Sequence, residues 1–351
     1  MAFCETNTIF RRCTGYAALC RANEGGTASN HEVAGEGLRA PRHPTESQRI
    51  TSMTNIPQSL MRAMIIMPFL SIVAQPGHAG TPQMRTYVSG LGSDSNPCTA
   101  SLPCRSFSAA LAATIAGGEI YVLNSANYGS VVINKAVTIT SEGAVAGVLA
   151  TSGVGITVSA GPGNVINLRG LDIDGGSSGN IGIQFISGQA LNIQKSTVRG
   201  FAGSGIAFSP SGTASIFVSD STVTNNRSNG ILVTGAVNGA LNRITASGNG
   251  VGIFASGAGV NLTLSDIVTS SNNYGIGAHG SAMMVRNATI SSNAVGVAAD
   301  QAAIVRVSQS TVTANGTGLQ ATSGGQVVSF GNNDISGNNT DGVATSTVAL
   351  Q

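Results

Sequence analysis

The sequence predicts an all-β fold: a single-stranded, right-handed parallel β-helix with rungs of 21–25 residues and one short capping helix near its N-terminal end. Three observations predict it. The first is a phrase, Asn-x-x-Gly-aliphatic, that recurs at Asn249-Gly-Val-Gly-Ile253, Asn272-Asn-Tyr-Gly-Ile276, Asn293-Ala-Val-Gly-Val297, Asn315-Gly-Thr-Gly-Leu319 and Asn339-Thr-Asp-Gly-Val343. Degenerate copies end at Ile183, Ile206 and Ile231, so successive aliphatic anchors lie 21–25 residues apart, the period of a solenoid. The second is composition. The 351 residues include 47 Gly, no Trp, 4% aromatic and 9% charged residues, a turn-rich mixture without the charge excess of a disordered chain. The third is a run of short apolar alternations bounded by Gly, Asn, Ser or Pro, three to a unit, which stack as a three-faced coil.

Residues 1–52 hold Cys4, Cys13 and Cys20 and show neither helical nor strand periodicity. Residues 53–79 read as a secretory signal: Arg62 in a polar opening, the apolar run Ala63 to Ala74, and the small-residue site Gly77-His-Ala79. The run is too short to span a bilayer, which takes about 20 apolar residues. Export signals open a chain, so translation is expected to start at Met53 or Met61, with residues 1–52 outside the native fold. The expected location is secreted, periplasmic or on the cell surface, with no membrane contact once the signal is removed.

Residues 80–118 form the next unit. Cys98 and Cys104, in Asn96-Pro-Cys-Thr-Ala-Ser-Leu-Pro-Cys104, read as one disulfide closing a small loop in an exported chain. Ser106 is a plausible N-cap for a helix whose apolar face is Phe107, Ala110, Leu111 and Ile115, with Gly117-Gly118 as its stop. An amphipathic helix here covers the hydrophobic end of a stack. From residue 119 to 351 the strands follow: Ile120–Leu123, Val131–Ile133, Val137–Ile139, Ile156–Val158, Val165–Leu168 and Leu171–Ile173, then the repeat.

The phrases Leu168-Arg-Gly-Leu-Asp-Ile-Asp-Gly175 and Ser310-Thr-Val to Asn315 make the region from Glu119 to about Val348 resemble the right-handed parallel β-helix proteins of the pectate-lyase-like superfamily. The stretch from Arg85-Thr-Tyr-Val-Ser to Pro103-Cys-Arg-Ser-Phe107 looks like the cap of exported bacterial members, many without assigned activity. The resemblance implies a fold; chemistry has to be argued from a site.

Asn249, Asn272, Asn293, Asn315 and Asn339 occupy one position of the repeat, so their amides are expected to stack about 4.8 Å apart as a structural ladder. Aligning the rungs by their anchors places Lys195, Asp220, Arg243, Asp266 and the Arg286-Asn287 pair in one column, followed by Gln309 and Asn332. That column reads as a register-fixing ladder of alternating charge or as a polar groove for a saccharide chain.

Chemistry is sparse. The resemblance implies one of two clusters, the calcium-binding acids and basic side chain of the lyases or the clustered aspartates with a His and an Arg of the related hydrolases, and neither is visible in this sequence. Asp172 and Asp174 share one strand face and would hold calcium weakly or act as an acid/base pair. The bland reading is polar residues alternating with buried Leu171 and Ile173. His279, with Tyr274 and Arg286 near in sequence, is the remaining catalytic candidate, against the simpler reading of a turn histidine. It is the single histidine after residue 79, which excludes a zinc site and leaves a serine-type triad no other base. Met84, Met283 and Met284 are too few soft ligands for copper. After residue 79 there are ten basic and ten acidic residues, and so no footprint for nucleic acid.

These readings converge on an exported β-helix that binds polysaccharide or serves as a surface or envelope structural protein without catalysis and without a cofactor. The alternative is a polysaccharide lyase or epimerase acting on acidic glycans, with calcium entering only there. Self-association is a third expectation, because no cap follows Val343 and the open edge invites another chain.

Overall fold

A computed structural model describes residues 82–349. Cys4, Cys13, Cys20, the 1–52 extension and the 53–79 signal lie outside the described residues. Every strand pairing in the two sheets is parallel, and the chain is a right-handed β-helix with three faces per rung. The first face is a nine-stranded sheet running from Val131–Ile133 to Thr317–Ala321. The second and third faces belong to one 19-stranded sheet that bends between them. In three rungs the bend lies inside one continuous strand, Ala214–Thr224, Val237–Ser247 and Val260–Ser270.

The bend explains the polar column. Lys195, Asp220, Arg243, Asp266, Asn287 and Gln309 all carry positive φ, between 49° and 58°, so this column is the left-handed residue that turns face two into face three. A non-glycine residue there costs about 1–2 kcal/mol. Hydrogen bonds between rungs offset it: Arg243 forks onto Asp220 through Nε (2.5 Å) and Nη2 (2.9 Å), and Asp266 accepts from Asn242 (3.1 Å) and from Asn287. Two members differ from the expected register. Arg286 sits one residue before the bend, on face two, and Gly331 takes the left-handed position that alignment assigned to Asn332.

Inside the coil the anchors Ile183, Ile206, Ile231, Ile253, Ile276, Val297 and Leu319 stack in register and are buried. The Asn-x-x-Gly phrase has a steric cause. A Cβ on Gly275 would lie 2.7 Å from the Gly296 carbonyl oxygen and 2.9 Å from the Asn293 amide nitrogen, and Gly252 and Gly296 are hemmed in the same way. The missing side chain is the space that the next rung's asparagine fills.

That asparagine column runs Asn226, Asn249, Asn272, Asn293, Asn315 and Asn338. Each Oδ1 from Asn249 onward accepts both the backbone N–H and the Nδ2 of the asparagine one rung earlier, and each Nδ2 from Asn249 onward also donates to a backbone carbonyl. Asn226 joins from an earlier, degenerate copy, and at the other end Asn338, not Asn339, continues the stack. Asn339 is exposed. The cause is register: Thr317 pairs with Thr340, which sets Leu319 opposite Gly342 rather than Val343. A one-residue slip turns a side chain to the opposite face, and Val343 is accordingly 85% exposed.

At the N-terminal end Cys98 and Cys104 are joined in a disulfide, and Ser106 caps the helix Phe107–Ala113 by accepting the Ala109 N–H. The helix is shorter than its apolar face predicts. Thr114 is extended, with its hydroxyl donating to the Ala110 carbonyl, so Ile115 and Gly117-Gly118 fall in the strand Thr114–Val122 instead of closing the helix. That strand pairs with Gln83–Val88, a stretch whose burial alternates only at its end and which sequence periodicity passed over.

Candidate functional site

Face two carries two columns of mostly polar side chains. The first holds Thr138, Asn167, Asn192, Phe217, Ala240, Thr263, Met284 and Arg306 in strict pairing order. The second, two residues on, holds Thr140, Arg169, Gln194, Ser219, Asn242, Ser265, Arg286 and Ser308. Strand alternation turns both columns away from the core, which Leu168, Ile193, Val218, Leu241, Leu264 and Val285 between them fill, although Thr140, Ser219 and Ser308 of the second column are themselves buried.

The polar groups are ordered along the axis. Asn192 donates to Asn167 (2.8 Å), Asn167 donates to Thr138 (3.1 Å), and Arg169 donates to Gln194 (3.0 Å). These residues and half-buried Phe217 line one cleft. A second cleft lies among Asn242, Ser265, Asp266, Asn287 and Arg286, and a third of about 580 Å³ runs on from Arg286 to Phe330, Asn332 and Val348. Arg286 and Gln309 line both of the latter, with Arg286 Nε donating to Gln309 Oε1 at 2.8 Å. From Arg169 to Arg286 is five rung steps, about 24 Å at about 4.8 Å per step. Each end offers a guanidinium, an aromatic ring and amides, and the left-handed column of Lys195, Asp220, Arg243 and Asp266 forms one wall. In that wall Arg243 holds the Asp220 carboxyl below its ordinary range, chiefly by the forked hydrogen bond.

The catalytic candidates do not come together. Asp172 and Asp174 share a strand face, as expected, but both are engaged by Arg199 of the next rung, at 3.0 Å for the Asp174 contact. Their hydrogen bonds raise the Arg199 guanidinium above its usual value, Asp172 contributing most. They lie on face three, five rungs from the rung of Arg286. Among the described residues no three His, Cys, Asp or Glu side chains converge, and Arg199 already fills the Asp172/Asp174 pair, so these residues do not fit calcium.

His279 ends the strand Tyr274–His279 on face one, a different face from Arg286. There it has a partner that sequence reasoning missed. Asp300 stacks on it from the next rung, with His279 Nδ1 3.4 Å from Asp300 Oδ2. The carboxylate is buried, and its other oxygen accepts the Gln301 N–H (2.8 Å) and the Thr322 hydroxyl (3.3 Å). The signal was present: His279 and Asp300 each stand three residues beyond their anchors Ile276 and Val297. A search confined to a single rung does not find a pair whose members are 21 residues apart.

A family model described as the right handed beta helix region matches residues 237–349. No curated protein matches the chain. Solved structures that it resembles include pectate lyase Pel9A, at 15% identity and a TM-score of 0.48 over 77% of this chain and 78% of that one. The A-module of mannuronan C-5 epimerase AlgE6 of Azotobacter vinelandii resembles it at 14% identity and a TM-score of 0.44, over 66% and 90% of the two chains. A rhamnogalacturonan lyase does so at 14% identity and 0.39, over 71% and 76%.

Proposed function

We propose that the protein is an exported polysaccharide-binding β-helix that holds a glycan chain along face two without turning it over. The observation that carries this reading is the pair of in-register columns from Arg169 to Arg286, a trough of amides and hydroxyls with one ring, Phe217, and a guanidinium at each end, aligned with the axis of the stack. A linear polymer of repeating units matches a surface that itself repeats, and amides already oriented by their neighbours lose little freedom on binding. The guanidinium groups at both ends suit carboxylate-bearing sugars. Export through residues 53–79 belongs to the same proposal, and detection of residues 1–52 in the native protein would count against it.

The test is retention of the chain from Gly80 onward on immobilised acidic and neutral glycans. Asn192→Ala and Arg286→Ala each remove one trough group and are expected to weaken retention roughly tenfold, as for the loss of one charge-assisted or neutral hydrogen bond. Unchanged retention in both would refute the trough.

The His279–Asp300 pair favours a second reading, a lyase or epimerase in which His279 takes the proton beside a uronate carboxylate and Asp300 orients the imidazole. Unsaturated-product absorbance, or solvent deuterium taken up at the carbon beside the uronate carboxylate, lost on His279→Ala would install this reading; neither signal with any glycan, with or without added calcium, would remove it. Self-association is proposed at the C-terminal end, where Val343 and Val348 are exposed. A monomeric sedimentation profile at high concentration would exclude it.

A further inference from the structure

The His279–Asp300 pair belongs to a longer column on face one. Thr234 pairs with Ser256, Ser256 with His279 and His279 with Asp300, in unbroken register. A serine, a histidine and an aspartate therefore follow one another on three adjacent rungs, although they stand 23 and 21 residues apart in the chain. In-register neighbours in a stacked sheet lie about 4.8 Å apart.

The backbone holds the three in place. Each of them ends its strand, Val251–Ser256, Tyr274–His279 and Val295–Asp300. The turn behind each of the first two is tied to the next rung: the Gly257 N–H donates to the His279 carbonyl (2.8 Å), and the Gly280 N–H donates to the Asp300 carbonyl (3.0 Å). Side chains on so rigid a scaffold are the ones that chemistry requires. The imidazole is oriented as well. Its Nδ1 stands 3.4 Å from Asp300 Oδ2, and Asp300 is itself fixed by the Gln301 N–H and the Thr322 hydroxyl. The two nitrogens of an imidazole lie on opposite sides of its Cβ–Cγ axis, so Nε2 is turned back toward the rung of Ser256. A proton on Nδ1, facing the carboxylate, leaves Nε2 to act as the base. Ser256 is half-buried, and a reactant can reach it.

We propose that Ser256, His279 and Asp300 form a nucleophilic triad that hydrolyses carboxylic esters. Ser256 Oγ attacks the ester carbonyl carbon while His279 Nε2 takes its proton. The tetrahedral intermediate collapses as the bond to the alcohol oxygen breaks; Nε2 returns the proton to that oxygen, and the acyl group stays on Ser256. Water then attacks the acyl carbon, gives its proton to Nε2, and the acid leaves as the serine hydroxyl is restored. Asp300 positions the imidazole and offsets the charge it gains. Ala258 and Gly259 are exposed in the turn behind Ser256, and their N–H groups suit the oxyanion. Two residues earlier on each strand the same face presents Phe254, Gly277 and Ala298, a strip without charge that suits a short, uncharged acyl group. The trough on face two plays no part in this inference. The lyase reading uses the same imidazole on a C–H bond and gives Ser256 no role.

The experiment is hydrolysis of 4-nitrophenyl acetate by the purified protein, with a parallel sample treated with a fluorophosphonate and its adduct located by peptide mass spectrometry. Saturable turnover and an adduct on Ser256 are expected. Ser256→Ala should lower kcat roughly a hundredfold or more with the circular dichroism unchanged. Asp300→Asn, which keeps the shape of the side chain, should lower kcat and leave KM as it was. Deuterium uptake into a uronate does not involve Ser256, so Ser256→Ala separates this inference from the lyase reading. Absence of the adduct on the parent protein would overturn the proposal. So would turnover no faster than that of free imidazole at the same concentration, or turnover that survives Ser256→Ala.

Discussion

Replacing Asn272 by Ala removes the middle of the asparagine ladder, and the structure sets the size of the effect. The Asn272 amide is buried; its Oδ1 accepts the Asn249 N–H (2.8 Å) and Nδ2 (3.2 Å), while its Nδ2 donates to the Ala246 carbonyl (3.0 Å) and Asn293 Oδ1 (2.9 Å). The losses are unequal. Asn249 Nδ2 keeps the Val223 carbonyl, and Asn293 Oδ1 keeps the Asn272 N–H, so each loses only part of its satisfaction. The Asn249 N–H loses the acceptor that the ladder supplied. One orphaned buried donor costs about 1–3 kcal/mol, and the weakened neighbours bring the expected total to about 2–4 kcal/mol. Asn339→Ala, at an exposed position off the ladder, should stay within about 0.5 kcal/mol of the parent. Urea unfolding followed by circular dichroism compares the two, and amide exchange at Asn249 localises the loss, because a solenoid opens rung by rung. An Asn272→Ala cost below about 1 kcal/mol, or one matched by Asn339→Ala, would refute the claim that the amides hold the rungs in register.

Gly275→Ala places a Cβ 2.7 Å from the Gly296 carbonyl oxygen, and overpacking of this kind should cost about 1–3 kcal/mol in the same urea assay. Reduction of Cys98–Cys104 opens a short loop, so the loss should fall near 2 kcal/mol, the low end for disulfides. Amide exchange in the rungs beyond Asn249 should not change with it. At the far end the Asp341 carboxyl lies below its ordinary value because Asn338 donates to it from Nδ2 (2.8 Å) and from N–H (3.0 Å). A depressed folded-state pKa means stability that is present above the ordinary carboxylate range and is lost as pH falls through the folded value. The protection of the Asn338 amide, taken relative to a free amide at the same pH, should therefore fall on acidification below about pH 4, and Asp341→Asn should flatten that profile.

The period of the coil, the anchors, the capping serine, the disulfide and the asparagine ladder were legible in the chain because each is a local signal repeated along it. A glycine beside an aliphatic residue and an asparagine three positions earlier report the same steric requirement in every rung, and repetition makes a weak signal strong. Register between rungs is another kind of information. Rung lengths differ by a few residues, and a slip of one inverts a side chain, so Asn338 replaced Asn339 and Val343 turned outward. Partners drawn from neighbouring rungs were likewise hidden: Arg199 reaches back to Asp172 and Asp174, and Asp300 stacks on His279 from 21 residues away. Which side chains share a face is set by the alternation of a strand and can be read from the sequence. Which of them touch depends on how the turns absorb their unequal lengths, and only the folded stack decides that.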